Sequence, residues 1–168
     1  WFAGGGSDME REGIQKMRLA FFLFHLIFAV IVLYINVVKA DVRSDLYCMA
    51  EAMYFEARGE GGNGIGEVSV GHVIMNRVRS DLYPNSVCEV VYQRKQFSYF
   101  WDGKPEVIRD RRSWRRAIHL SALVLKGRVY DPTHGATHYH AYYVRPRWVE
   151  QCHYIVSIGS HLFYRLKS

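Results

Sequence analysis

The chain has 168 residues, 49% of them hydrophobic and 15% aromatic, with 22 Lys and Arg against 16 Asp and Glu for a net charge of +6. That apolar content suffices for one packed domain and excludes a disordered protein. The positive balance favours acidic polymers or anionic headgroups as neighbours, and it lies downstream: residues 1–40 hold four basic and three acidic residues, leaving 18 basic against 13 acidic in the rest.

Residues 1–16 read as an N-terminal tail or non-native extension. Trp1 is not an initiator, Met9 and Met17 are alternative starts, and residues 4–8 have linker composition. Residues 17–40 read as a signal peptide or signal-anchor helix. Between positions 19 and 38 the clearly polar residues are His25 and Asn36, a run long enough to cross a bilayer, and Arg11, Lys16 and Arg18 precede it. The basic flank keeps the amino end in the cytoplasm and exports the downstream chain to the periplasmic or cell-wall side. Val38, Lys39 and Ala40 suit cleavage before Asp41, whereas the length of residues 19–38 suits an uncleaved membrane anchor; both stay open.

In the exported part, residues 41–168, apolar residues recur at Leu46, Met49, Ala50, Met53, Tyr54 and Ala57, which predicts a helix with one buried face. Ser44 is its expected N-cap, and Gly59, Gly61, Gly62 and Gly64 end it. Val70, Val73, Ile74, Arg77 and Val78 mark a second helix. Ser86 to Glu89 has the capping-box pattern of a third, short one. Residues 96–103 form an aromatic loop. A fourth helix carries Trp114, Ala117, Ile118, Ser121, Ala122 and Leu125 on its apolar side and stops at Gly127. Arg109, Arg111, Arg112, Arg115 and Arg116 read as its solvated side and not as a nucleic-acid surface. Residues 137–144 read as a strand closed by Pro146, and residues 158–164 as a second strand weakened by Gly159. Helices first and a small late antiparallel sheet make the class α+β. The three cysteines allow one disulfide and one free thiol; Cys48 with Cys88 is favoured, with unpaired buried cysteines as the alternative.

Glu56 falls in the last turn of the first predicted helix. There the dipole and the Tyr54 and Phe55 rings disfavour the ionised carboxylate, the condition under which a side chain donates a proton near neutrality. A glycosidase acid requires that environment. Gln96, Ser98, Thr137 and His138 could hydrogen-bond hydroxyl or N-acetyl groups. Phe97, Tyr99, Phe100, Trp101, Tyr139, Tyr142, Tyr143 and Trp148 supply aromatic faces for sugar rings, although strand alternation sends Tyr139 and Tyr143 to one face and His138, His140 and Tyr142 to the other.

Glu56-Ala57-Arg58-Gly59-Glu60, Asn76-Arg77-Val78, Tyr83 to Cys88, Gln96-Phe97-Ser98, Gly135 to Ala141, Pro146-Arg147-Trp148 and Ile158 to Arg165 together resemble the ordered motifs of the SleB-type cell-wall hydrolases. The resemblance runs from about Leu46 to Arg165. It implies a lysozyme-like α+β fold, peptidoglycan as substrate, and lytic transglycosylase or muramidase activity, with Glu56 matching the catalytic glutamate. Three departures stand out: a longer loop after Gly61, Glu67 where glutamine is common, and Lys95 and Trp101 in place of a cysteine pair.

Cleavage by one carboxylic acid is complete if the same group, once ionised, takes the proton of the muramic acid C6 hydroxyl and the sugar closes as a 1,6-anhydro ring. Hydrolysis would place a second carboxylate roughly 5 to 9.5 Å away. Glu60 and Glu67 are the candidates, and cleavage by Glu56 alone is preferred. Neither a metal nor another cofactor is expected. One alternative is a zinc amidase using His134, His138 and His140 with Glu56; another is a non-catalytic wall-binding module.

Overall fold

A computed structural model describes residues 6–57, 63–94, 96–97 and 107–167. The chain divides into two compact units, Trp1–Val42 and Arg43–Ser168. Helix α1 carries the bounds Gly6–Ala57 and contributes to both. No Gly or Pro lies between Ile14 and Ala57, so nothing in the backbone interrupts it. Ser44 is therefore inside the helix and not at its cap, and its Oγ lies 3.1 Å from Cys88 Sγ.

In the first unit, Arg11–Ile35 contains an 18-residue window of mean hydropathy 2.4 and is long and apolar enough to span a bilayer. Its apolar side chains, Phe21, Phe24, Phe28 and Leu33 among them, are exposed on every side. A core helix would bury such a surface, and within the described residues this one buries none of it.

In the second unit, the end of α1 packs with α2 (Ile65–Val78), α3 (Val87–Tyr92) and α4 (Arg111–Leu125). Met49, Met53, Tyr54, Val70, Ile74, Val90 and Val124 fill the core among them. Local chemistry sets the helix starts. Ser86 Oγ accepts from Glu89 N and bonds its carboxylate, the expected capping box. Asp110 accepts from the amides of Arg112 and Ser113 to start α4. The buried Tyr54 hydroxyl accepts from the amides of Arg109 and Asp110, tying the start of α4 to α1. Cys48 and Cys88 form a disulfide, and Cys152 is a buried free thiol.

The sheet has β1 (His138–Ala141), β2 (Cys152–Ile158) and β3 (His161–Leu166) in antiparallel order β1-β3-β2. A short 3-10 helix, Arg147–Gln151, precedes β2. Phe163 and Ala136 pack with Val73 of α2 and fasten the sheet to the helices. Two expectations change. The first strand is shorter than residues 137–144, and residues 158–164 do not form one strand: Gly159, at φ 57°, and Ser160 make a two-residue turn between β2 and β3. A positive φ at that position is what a tight hairpin asks of glycine.

Candidate active site

Glu56 is the penultimate residue of α1, half-buried, and the Tyr139 hydroxyl donates to its Oε2 at 3.1 Å. Tyr139 belongs to β1. Its ring packs edge-on against His161, with centroids 5.2 Å apart, and at a 32° tilt on Phe163 at 5.6 Å, so β3 sets the direction of the hydroxyl. Both residues line a cleft of about 390 Å³ with Phe55, Arg77, Gln96, His140, Tyr143, Val144 and His161. Among these described lining residues Glu56 is the single carboxylate.

Arg77, in the last turn of α2, is 4% exposed. Its Nε donates to Thr137 O at 2.7 Å, and its guanidinium carbon lies 5.5 Å from the Tyr83 ring centre and 5.7 Å from that of Phe97. Nη1 has no hydrogen-bond partner among the described residues. Burial makes the guanidinium less basic, while Tyr139, Tyr83 and Glu56 act in the opposite direction. An arginine nonetheless keeps its proton in proteins, so the cleft has a fixed cation in its wall beside Glu56.

The residues expected to bind substrate divide among several places. Gln96 and Tyr139 line the cleft. Phe97 does not: it is 1% exposed, a core residue beneath Arg77 that cannot offer a face to a sugar. Thr137 lines a different groove and supplies the carbonyl that holds Arg77. His138 and Trp148 do not line the cleft: His138 is on the face of β1 opposite Tyr139, and both join an aromatic group with Tyr164 and with His140, which does line the cleft. Alternation accounts for this, since His138 pairs with Tyr164 and Tyr139 with Phe163. Ser98 and Glu60 lie outside the described residues.

Glu67, a candidate second acid, does not line the cleft with Glu56. It is 1% exposed and bound to Arg116, whose Nε donates to Oε1 at 2.9 Å. The ion pair also corrects the expectation that every arginine of α4 is simply solvated. His161, buried beside Tyr139, is a cleft residue to which the sequence reading assigned no role. Its two-residue spacing from Phe163 on a strand was the available signal.

The three histidines weighed for zinc have separate partners. His134 Nδ1 lies 2.9 Å from the Tyr130 hydroxyl, and His138 Nδ1 lies 3.0 Å from Thr137 Oγ1. His140 Nδ1 donates to Ala141 O, which leaves Nε2 to accept from the Tyr164 hydroxyl at 3.1 Å. No group of three or more His, Cys, Asp or Glu poised to hold a metal occurs among the described residues. Burial, reinforced by the charge of Arg77, lowers the His138 pKa to about 4 and keeps that ring neutral at ordinary pH.

A family model described as Cell Wall Hydrolase matches residues 61–164. The chain is 36% identical over 133 residues to the spore cortex-lytic enzyme of Halalkalibacterium halodurans, covering 76% of this chain and 37% of that protein. It spans less than half the length of the curated relatives it matches. Among solved structures it is similar to the catalytic domain of the Bacillus cereus SleB protein, with a TM-score of 0.61, 31% identity, and coverage of 73% of this chain and 91% of that one. The catalytic domain of the germination-specific lytic transglycosylase SleB from Bacillus anthracis matches at the same TM-score and identity, with 94% of that chain covered. A helical domain closed by a three-stranded sheet, matched by that model over more than half its length, belongs to the cell wall hydrolase family.

Proposed function

We propose that this chain cleaves the glycan strand of peptidoglycan between N-acetylmuramic acid and N-acetylglucosamine as a lytic transglycosylase, with Glu56 as its acid and base. The observation that carries the reading is the cleft, in which Glu56 is the single carboxylate among the described lining residues and is held by Tyr139. The likeness to a solved lytic transglycosylase domain supports it.

Glu56 first gives its proton to the bridging oxygen. The C1–O bond breaks, the N-acetylglucosamine side leaves as an alcohol, and positive charge develops at C1 of the muramic acid. The Glu56 carboxylate then takes the proton from the C6 hydroxyl, and that oxygen bonds to C1. The anhydro ring forms, the carboxyl regains its proton, and no water is consumed. Tyr139 fixes the carboxyl orientation, and the buried cation of Arg77 stabilises the carboxylate between the two transfers. Tyr143, 77% exposed on the rim, offers an aromatic face to a ring entering the cleft. Residues 19–38, as signal or anchor, bring the domain to the outer side of the membrane, where the polymer is.

Glu56→Gln keeps the shape of the side chain and removes its proton transfer. On purified sacculi it loses about 10²- to 10⁴-fold in turnover, with melting and wall sedimentation unchanged. A variant that lyses at the parent rate sinks the proposal.

A further inference from the structure

A second depression, of about 410 Å³, lies between the end of α2 and the end of β3. Three cations line it: Arg79 from the residue that closes α2, and Arg165 and Lys167 from the β3 end. All three are exposed, and none has an ion-pair partner among the described residues. Lys167 spends one of its three donors on the Glu150 carbonyl, at 2.7 Å. Arg165 and Lys167 are two positions apart on extended backbone and so share a face. Gly135, at φ 84°, lies beside the Arg165 guanidinium; a Cβ there would stand 3.9 Å from Nη1. Leu82 and Tyr83 give the groove an apolar wall.

The carboxylate bonded to Asn76 and Gly135 of the groove wall, that of Asp131, does not cancel this charge. Asp131 does not line the groove, and its oxygens accept from Thr133 N and Oγ1, Gly135 N and Asn76 Nδ2. Burial alone would raise its pKa, but those hydrogen bonds outweigh it and hold the carboxyl below its ordinary value. The anion is taken up by its own loop and by Asn76 of α2.

The groove shares a wall with the active-site cleft. Arg77 lines the cleft, Thr137 lines the groove, and one hydrogen bond joins the two residues. Resting on the reading of peptidoglycan as substrate, we infer that the groove of Arg79, Arg165 and Lys167 binds the carboxylates of the peptide stem while the glycan occupies the cleft. A stem is a short extended peptide with several free carboxylates and alanine methyls. It therefore matches both the three cations and the apolar wall.

The test uses the full chain in detergent micelles and sacculi freed of teichoic acid, either peptide-bearing or stripped of stems by an amidase. The variant combines Arg79→Gln, Arg165→Gln and Lys167→Gln, all exposed, with circular dichroism as the folding control. On peptide-bearing strands kcat/KM falls about tenfold, from roughly two- to threefold per exposed charge contact, and added salt brings the parent down toward the variant. On stripped strands the two proteins cleave alike. Equal losses on both substrates, or none on peptide-bearing strands, overturn the inference. So does a loss that appears only when teichoic acid is left on the wall. A parent that releases no anhydro-muropeptide from either substrate instead condemns the proposed function.

Discussion

Replacing Arg116 by Met tests whether the Glu67 carboxylate is structural. Glu67 is 1% exposed, its Oε1 accepts from Arg116, and its Oε2 has no hydrogen-bond partner among the described residues. Removing one partner of a fully buried pair costs about 3–5 kcal/mol, because an uncompensated charge stays inside. The Arg116 side chain is 36% exposed, so solvent screens part of the interaction, and about 2–3 kcal/mol is the expected loss. For a unit the size of Arg43–Ser168, each kcal/mol is about 4 °C in Tm, so Arg116→Met melts about 8–12 °C lower. Glu67→Gln leaves a cation that can swing into water and costs about 1 kcal/mol, near 4 °C. The double replacement by Met removes both charges and recovers most of the loss. Near-ultraviolet circular dichroism of the full chain in micelles reads the transition, with sacculus lysis measured alongside. A Glu67→Gln protein that melts like the parent and has no turnover would refute the reasoning and restore Glu67 as a catalytic acid.

Tyr139→Phe keeps the ring packing on His161 and Phe163 and removes the hydroxyl at Glu56; turnover falls about tenfold, the worth of one hydrogen bond to a charged group, with Tm unchanged. His138 has its folded pKa lowered to about 4 by burial and by Arg77. The unfolded chain therefore binds the proton first: stability is fully present above about pH 6.5 and is lost as pH falls toward 4, and His138→Gln flattens the slope of Tm against pH in that window. Opening the Cys48–Cys88 bond by replacing both with Ala frees a 40-residue loop and costs about 4 kcal/mol on the chain-entropy account, read as a drop in the denaturation midpoint.

Local features were legible wherever one short segment determines them. The apolar period through Met49, Met53 and Ala57 placed Glu56 at the end of a helix, and the Ser86–Glu89 pattern placed the start of α3. Glycine was harder to interpret, because the same residue weakens a strand and closes a hairpin; at Gly159 it does the second. Ser44 failed as a cap because a chain without Gly or Pro from Ile14 onward continues its helix through a serine. The rest depends on partners far apart in sequence. Arg116 is 49 positions from Glu67, and Tyr139 is 83 from Glu56. No periodicity reports that one carboxylate is buried in a pair while the other faces a cleft. Burial also separated residues of similar chemistry: Phe97 went under Arg77, and His138 went to the face of β1 opposite Tyr139, beside Trp148.

The central claim is that Glu56 cleaves the strand without water, and digestion of purified sacculi in water enriched in oxygen-18 tests it most directly, with mass spectrometry of the released muropeptides. The account predicts 1,6-anhydro-muramic ends that carry no heavy oxygen in the parent digest, and no such ends from Glu56→Gln. Reducing muramic ends carrying the heavy oxygen would contradict it.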